Sequence, residues 1–144
     1  MTSDIHERAS DRVAEAMIEI EKQTSETIDL IVMVQGDEPM ITPTMITQAI
    51  SPFKSDENIS VVNLMAKIKS IDEFNDPNEI KVVVDSLSNA LYFSRAPIPY
   101  SKDGTKELNA LKQVCIIPFK RDYLLEYNNT KETPLEMIES VDMM

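Results

Sequence analysis

The chain has 144 residues, 42% of them hydrophobic and 27% charged, with apolar and polar positions interleaved, so it reads as a globular chain of one or two domains. Its 25 acidic residues outweigh 14 basic ones, a formal net charge of −11, and this argues against a nucleic-acid partner, whose binding depends on Lys and Arg displacing counterions from phosphates. The longest apolar run, Leu30 to Val34, falls far short of the roughly 20 residues a membrane-spanning helix requires, and a single cysteine, Cys115, rules out an intrachain disulfide and fits a reducing cytoplasm.

Ser10 to Lys22 places Val13, Ala14, Met17, Ile18 and Ile20 at helical spacing behind a Ser-Asp start, which predicts an amphipathic helix. Ile28 to Val34 is a β-branched-rich run of the length expected for a strand buried on both faces, and it breaks at once into Gln35-Gly36-Asp37-Glu38-Pro39. Thr42-Pro43 opens a second helix running to about Phe53, with proline in the first turn where its missing N–H costs nothing. Ile59 to Ala66 is the next strand, Ser70 to Phe74 a short helical turn, and Asp76-Pro77-Asn78 a turn. Ile80 to Val84 and Ala90 to Phe93 form a hairpin around Asp85-Ser86-Leu87-Ser88-Asn89. Arg95 to Tyr100 is kept out of a helix by Pro97 and Pro99. Ser101 to Leu111 is polar and expected to be mobile, Val114 to Phe119 is a strand, Arg121 to Tyr127 a short helix, and Pro134 to Met144 a helix without a stop signal. Strands alternating with helices predict an α/β fold with a mostly parallel sheet flanked by helices, as one domain over residues 1–144.

Open α/β sheets bind ligands beyond the carboxyl ends of their strands, and Asp37 occupies such a position. A hard cation such as Mg²⁺ takes one or two carboxylates together with phosphate oxygens and water, so a carboxylate just past a rigid strand suits it. Gly36 would let the backbone turn closely against a ligand, and Pro39 stiffens the exit. In isolation the same turn is better explained by loop conformation, because Gly, Asp and Pro are commoner in turns than at metals. With only Gly36 and Gly104 in the chain, no glycine-rich phosphate loop is present.

Three segments in order change that balance: Val34-Gln35-Gly36-Asp37-Glu38-Pro39-Met40-Ile41, Phe74-Asn75-Asp76-Pro77-Asn78-Glu79-Ile80-Lys81-Val82-Val83, and Ala90-Leu91-Tyr92-Phe93-Ser94-Arg95-Ala96-Pro97-Ile98-Pro99. Together with Ala9 to Glu15 and Pro134 to Glu139, they resemble the 3-deoxy-manno-octulosonate (Kdo) cytidylyltransferases over essentially the whole chain. The resemblance implies a Rossmann-like nucleotidyltransferase that transfers CMP from CTP to an acidic sugar, releases pyrophosphate, uses Mg²⁺ and works as a homodimer. It implies that Asp37 helps hold the metal, that Gln35 lies against the nucleotide, and that Ser10, Asp11 and Arg12 border the cytidine, although the family more often has Gly-Thr before the acid-Arg pair. Arg95 is expected to meet the sugar's carboxylate, which a guanidinium can engage through two parallel hydrogen bonds.

Two sugar-lining segments depart from the family. Gln113-Val114-Cys115-Ile116-Ile117 stands where the family has His-x-Gly-Ile-Tyr, so Gln113 replaces an imidazole and Ile117 a phenol. The family's Glu-Gln pair falls on Asp142 and Met143. Such changes in a site built to hydrogen-bond hydroxyls can redirect specificity toward a different acidic sugar. By resemblance, a basic nucleotide-gripping loop precedes the region covered here and a second metal-binding Asp follows it. The 144 residues are therefore expected to be an internal portion that shows no turnover alone. A binding module that kept the sheet without catalysis, and a sister enzyme for a sialic-acid-like or phosphonate acceptor, are the alternatives.

Overall fold

Ala9–Thr24 forms helix α1, whose apolar stripe buries Ala14 and Met17; its N-cap is Arg8, so Ser10 and Asp11 lie inside the first turn instead of capping it. The computed structural model describes residues 2–6, 8–36, 38–102 and 109–142; Asp37, Met143 and residues 103–108, within the stretch expected to be mobile, lie outside the described residues. Strand β1 (Leu30–Val34) follows, then helix α2 (Pro43–Ile50), whose N-cap Thr42 accepts a hydrogen bond from Met45 N–H and whose first turn holds the proline. A 3₁₀ turn, Ser51–Lys54, takes over where Pro52 interrupts the α-helical ladder.

The expected strand from 59 to 66 divides in two. Val61 bridges Phe119, and strand β2 (Leu64–Lys67) joins another sheet. Helix α3 (Ile71–Asn75) is capped by the Ser70 hydroxyl, and Asp76 Oδ1 accepts from Asn78 N–H in the turn that follows. Strands β3 (Lys81–Val84) and β4 (Ala90–Ser94) make the expected hairpin, closed by Asp85, whose Oδ1 accepts from Leu87 and Asn89 N–H. Ile98–Pro99 is a cis peptide bond. Where one strand is expected from Val114 to Phe119 there are two, β5 (Leu111–Val114) and β6 (Ile116–Lys120), because the chain changes sheets at Cys115. Helix α4 is Arg121–Asn129. Helix α5 (Pro134–Glu139) has a full capping box between Thr133 and Glu136 and ends early, at a left-handed Ser140. That C-terminus replaces the uninterrupted helix expected to Met144.

The chain divides into two compact units, Met1–Leu64 with Cys115–Lys131 and Met65–Val114 with Glu132–Met144, and no Pro/Gly/Ser-rich stretch marks the boundaries. In the first, β1 and β6 pair antiparallel from Leu30↔Lys120 to Val34↔Ile116, with α1 against β1 and α2 and α4 against β6. Its core gathers Met17, Met33, Ala49, Ile116, Ile117, Phe119 and Leu124. Phe119 is fully buried and packs on Tyr123 and Tyr127, ring centroids 6.5 and 6.0 Å away. In the second unit, strands run in the order β2-β5-β3-β4, and Val82, Phe93 and Val141 form a core with Ile80, Val84 and Leu111 against it.

Sheets flanked by helices match the expected α/β class, but the direction of pairing differs. β1–β6, β3–β4 and β3–β5 are all antiparallel. A five-residue connection between β3 and β4 allows only a hairpin, since a parallel crossover needs a dozen residues or more. β1 also differs from the strand buried on both faces that its sequence suggests. Among the described residues it has one strand partner, Met33 alone is buried, and Val34 is 40% exposed. A continuous apolar run specifies a strand but not how many neighbours it acquires.

Two carboxylates anchor the first unit. Arg121 donates to both oxygens of Glu21, at 2.7 and 3.0 Å, and Glu21 also accepts from Ile28 N–H; the guanidinium first, then that amide, hold its pKa at about 2. The His6 ring and the Ser3 N–H do the same for Glu15, likewise at about 2. Both folded carboxyls release their protons more readily than the unfolded chain, so this stability is complete above about pH 5 and is lost as pH falls toward 2. The urea midpoint should drop across that window, and Glu21→Gln should flatten the drop; an unchanged pH profile in the variant would refute the assignment.

Candidate functional site

The turn after β1 is closed by Glu38 N–H donating to the Gln35 carbonyl at 3.2 Å. It is hooked to Cys115 twice. Gln35 N–H donates to the Cys115 carbonyl at 3.3 Å, and Cys115 N–H donates to Glu38 Oε1 at 3.0 Å. The sequence motif thus meets the joint between β5 and β6 through a carboxylate–amide bond across 77 residues, which no local pattern could reveal. A Cβ added at Gly36 would meet nothing within 4 Å, so among the described residues no close approach demands that glycine. Glu38→Ala should speed hydrogen exchange at the Cys115 amide about tenfold or more, the scale of one bond to a charged acceptor. Glu38→Gln, which keeps an acceptor oxygen, should preserve most of the protection; equal exchange in all three proteins would contradict the link.

Other expected nucleotide-side residues lie on α1 in the same unit. Ser10 is 1% exposed; its carbonyl accepts from Asn128 Nδ2 at 3.1 Å, and its Oγ has no partner among the described residues. A buried hydroxyl left unpaired costs free energy, so this oxygen is a notable exception. Asp11 pairs with Arg8 at 3.5 Å, and Arg12 donates to Thr2 Oγ1 and the Ser3 carbonyl. His6 is held by Ser3 and Glu15. Ile117 is 1% exposed beside Met33 on β1.

The remaining expected residues belong to the second unit. Gln113 sits on β5, its N–H donating to the Ile80 carbonyl at 2.8 Å, and Asp142 is half-buried. Arg95 follows β4 and donates from Nε to the Glu139 carbonyl at 2.6 Å, from Nη2 to the Ser140 carbonyl at 2.7 Å, and from Nη1 to the Pro77 carbonyl at 2.9 Å. Glu139 answers with its carboxylate, which accepts from Arg95 N–H, Ser94 Oγ and Tyr92 Oη at 2.9, 2.7 and 3.0 Å. The Arg95 amide, then the Ser94 hydroxyl, pull the Glu139 pKa below the usual carboxylate range. Lys81 is fully buried, donates from Nζ to the Asp76 carbonyl at 2.7 Å, and is pushed down in pKa by that burial. Lys112 bridges Glu73 and Glu79 at 2.7 and 2.9 Å. Sequence reasoning singled out neither Glu139 nor Lys81, because both act through long-range contacts.

Helices layered on sheets, with a turn hooked back at the end of β1, make up the framework of the chain. A solved structure of CMP:2-keto-3-deoxy-manno-octonic acid synthetase complexed with CTP matches it with a TM-score of 0.85 at 37% identity, covering 98% of this chain and 55% of that one. The family described as Cytidylyltransferase matches residues 1–144, and the chain belongs to it. Among curated relatives, the 3-deoxy-manno-octulosonate cytidylyltransferases of Geobacter metallireducens and Fusobacterium nucleatum are 39% and 38% identical, each aligned to all of this chain. The chain spans 58% and 56% of their respective lengths.

Proposed function

We propose that this chain forms part of a cytidylyltransferase that transfers CMP from CTP to an acidic ulosonate sugar, Kdo or a close relative, and releases pyrophosphate. The observation that carries the reading is the family match over residues 1–144 together with the likeness to a CTP-bound relative. In this reading Gln35, Asp11 and Arg12 face the nucleotide with Ser10 buried behind them, Arg95 meets the sugar's carboxylate, and Gln113, Asp142 and Met143 line the sugar, with Ile117 buried behind its lining.

Mg²⁺ belongs to the same proposal. No group of three or more His, Cys, Asp or Glu forms a ready cage among the described residues. Mg²⁺ bound with a triphosphate asks for less, one or two carboxylates beside phosphate oxygens and water. By resemblance to the family, Asp37 is the residue that would help hold the metal, and the neighbouring Glu38 is engaged by Cys115 N–H through Oε1. When bound, the ion would neutralise phosphate charge and stabilise charge growing on the α-phosphate. The chain's own contribution is to hold both substrates in line. A homodimer in the cytoplasm is the expected setting, and no helix of the described residues is long and apolar enough to cross a membrane.

The altered lining favours an acceptor other than Kdo itself. Gln113 offers an amide in place of an imidazole, and Ile117 has no group to bond a sugar hydroxyl. Calorimetric titration with CTP and Mg²⁺ present, comparing Kdo, an amino-substituted ulosonate, a sialic acid and a phosphonate, tests this directly. Tightest binding by a modified ulosonate is expected. Binding of the phosphonate alone would move the protein to a sister activity, and binding of none would overturn the acceptor class.

A further inference from the structure

We propose that Glu139 is a positioning residue that aims the Arg95 guanidinium, leaving one N–H on each of its two terminal nitrogens to grip an acidic ligand's carboxylate. The inference deepens the proposed function and rests on it for the identity of the ligand. A guanidinium carries five N–H donors in a fixed plane. Three are spent on carbonyls, those of Glu139, Ser140 and Pro77. The two that remain, one per terminal nitrogen, are the number a bidentate carboxylate contact uses.

Helix chemistry explains how the plane is set. The last carbonyls of a helix lack intrahelical partners, and α5 stops at Ser140 with φ 51° and ψ 51°, which turns the Glu139 and Ser140 carbonyls toward one donor fork. A cation at that end also complements the helix dipole. A C-cap alone would need only the guanidinium. Here the side chain of Glu139 reaches the Arg95 backbone as well, accepting its N–H at 2.9 Å, and fixes β4 through Ser94 Oγ and Tyr92 Oη. Arg95 is therefore held at both its backbone and its head group by one residue. Its side chain remains partly exposed, and the bonds from Nη1 and Nη2 lie at the surface, where a ligand can reach them. A long, flexible side chain so constrained loses little entropy when it binds, the condition for a tight anion contact.

The test combines a spectroscopic and a binding readout on the whole chain. In ¹⁵N-labelled protein, the Arg95 Nε–H resonance, assigned by Arg95→Lys, should exchange slowly with solvent. Glu139→Ala should speed that exchange and weaken Kdo binding by about tenfold or more, the scale of one charge-assisted bond, while CTP affinity stays within about twofold. Glu139→Gln preserves the shape, keeps one acceptor oxygen and guards against loss of fold, which circular dichroism would monitor; it should fall between the two. Unchanged Nε–H exchange in Glu139→Ala would overturn the positioning role, whatever the ligand. Faster exchange without any binding of Kdo or of an amino-substituted ulosonate, even by the wild-type chain, would uphold the clamp and overturn the proposed ligand. Equal Kdo affinity in wild type and Glu139→Ala would overturn the inference and leave the proposed function standing.

Discussion

Replacing Phe119 by alanine should destabilise the first unit by about 3–5 kcal/mol, the usual cost of emptying a buried phenylalanine site. Phe119 is fully buried on β6, pairs with Ile31 of β1 on one side, bridges Val61 on the other, and packs on both Tyr123 and Tyr127 of α4. Against a total stability of about 5–15 kcal/mol for an ordinary domain, that loss approaches global unfolding of the unit. Urea denaturation followed by tyrosine fluorescence measures it. A loss below about 1 kcal/mol would mean that the β1–β6 pair is not the centre of this core.

Much of the secondary structure was legible because its signals are local. Thr42-Pro43 and Ser70 each name a helix start and cap the helix that follows, and Pro134 opens the last helix as expected. Asp85 and Asn89 closed the hairpin as turn chemistry implies. Pairing was less accessible. Nothing in Val114-Cys115-Ile116 shows that the chain leaves one sheet for another there, and nothing in Leu30 to Val34 shows that β6 is its strand partner. Site chemistry followed the same division: the motif around Gln35 and the arginine after β4 stand out in sequence, whereas their anchors, Cys115 at 77 residues' distance from Glu38 and Glu139 at 44 from Arg95, depend on tertiary structure. Helix α5 ended early because Ser140 adopts a left-handed conformation that sequence alone disfavours.

The second large effect concerns Asp37. Asp37→Asn keeps the side chain's size and removes its charge, so it should abolish the part of CTP affinity that Mg²⁺ contributes. Loss of outer-shell groups around a metal costs about 10–100-fold in metal affinity, and a direct ligand should cost at least as much. Among the described residues the turn is held through Gln35 and Glu38, so an unchanged urea midpoint in Asp37→Asn would separate lost metal affinity from lost folding.

Calorimetric titration of CTP into the wild-type chain and Asp37→Asn, each with excess Mg²⁺ and with a chelator, puts the account to its most direct test. Binding that tightens at least about tenfold with Mg²⁺ in the wild-type chain, and shows no such gain in the variant, is the predicted result. CTP affinity that is the same with and without the metal in the wild-type chain would contradict it.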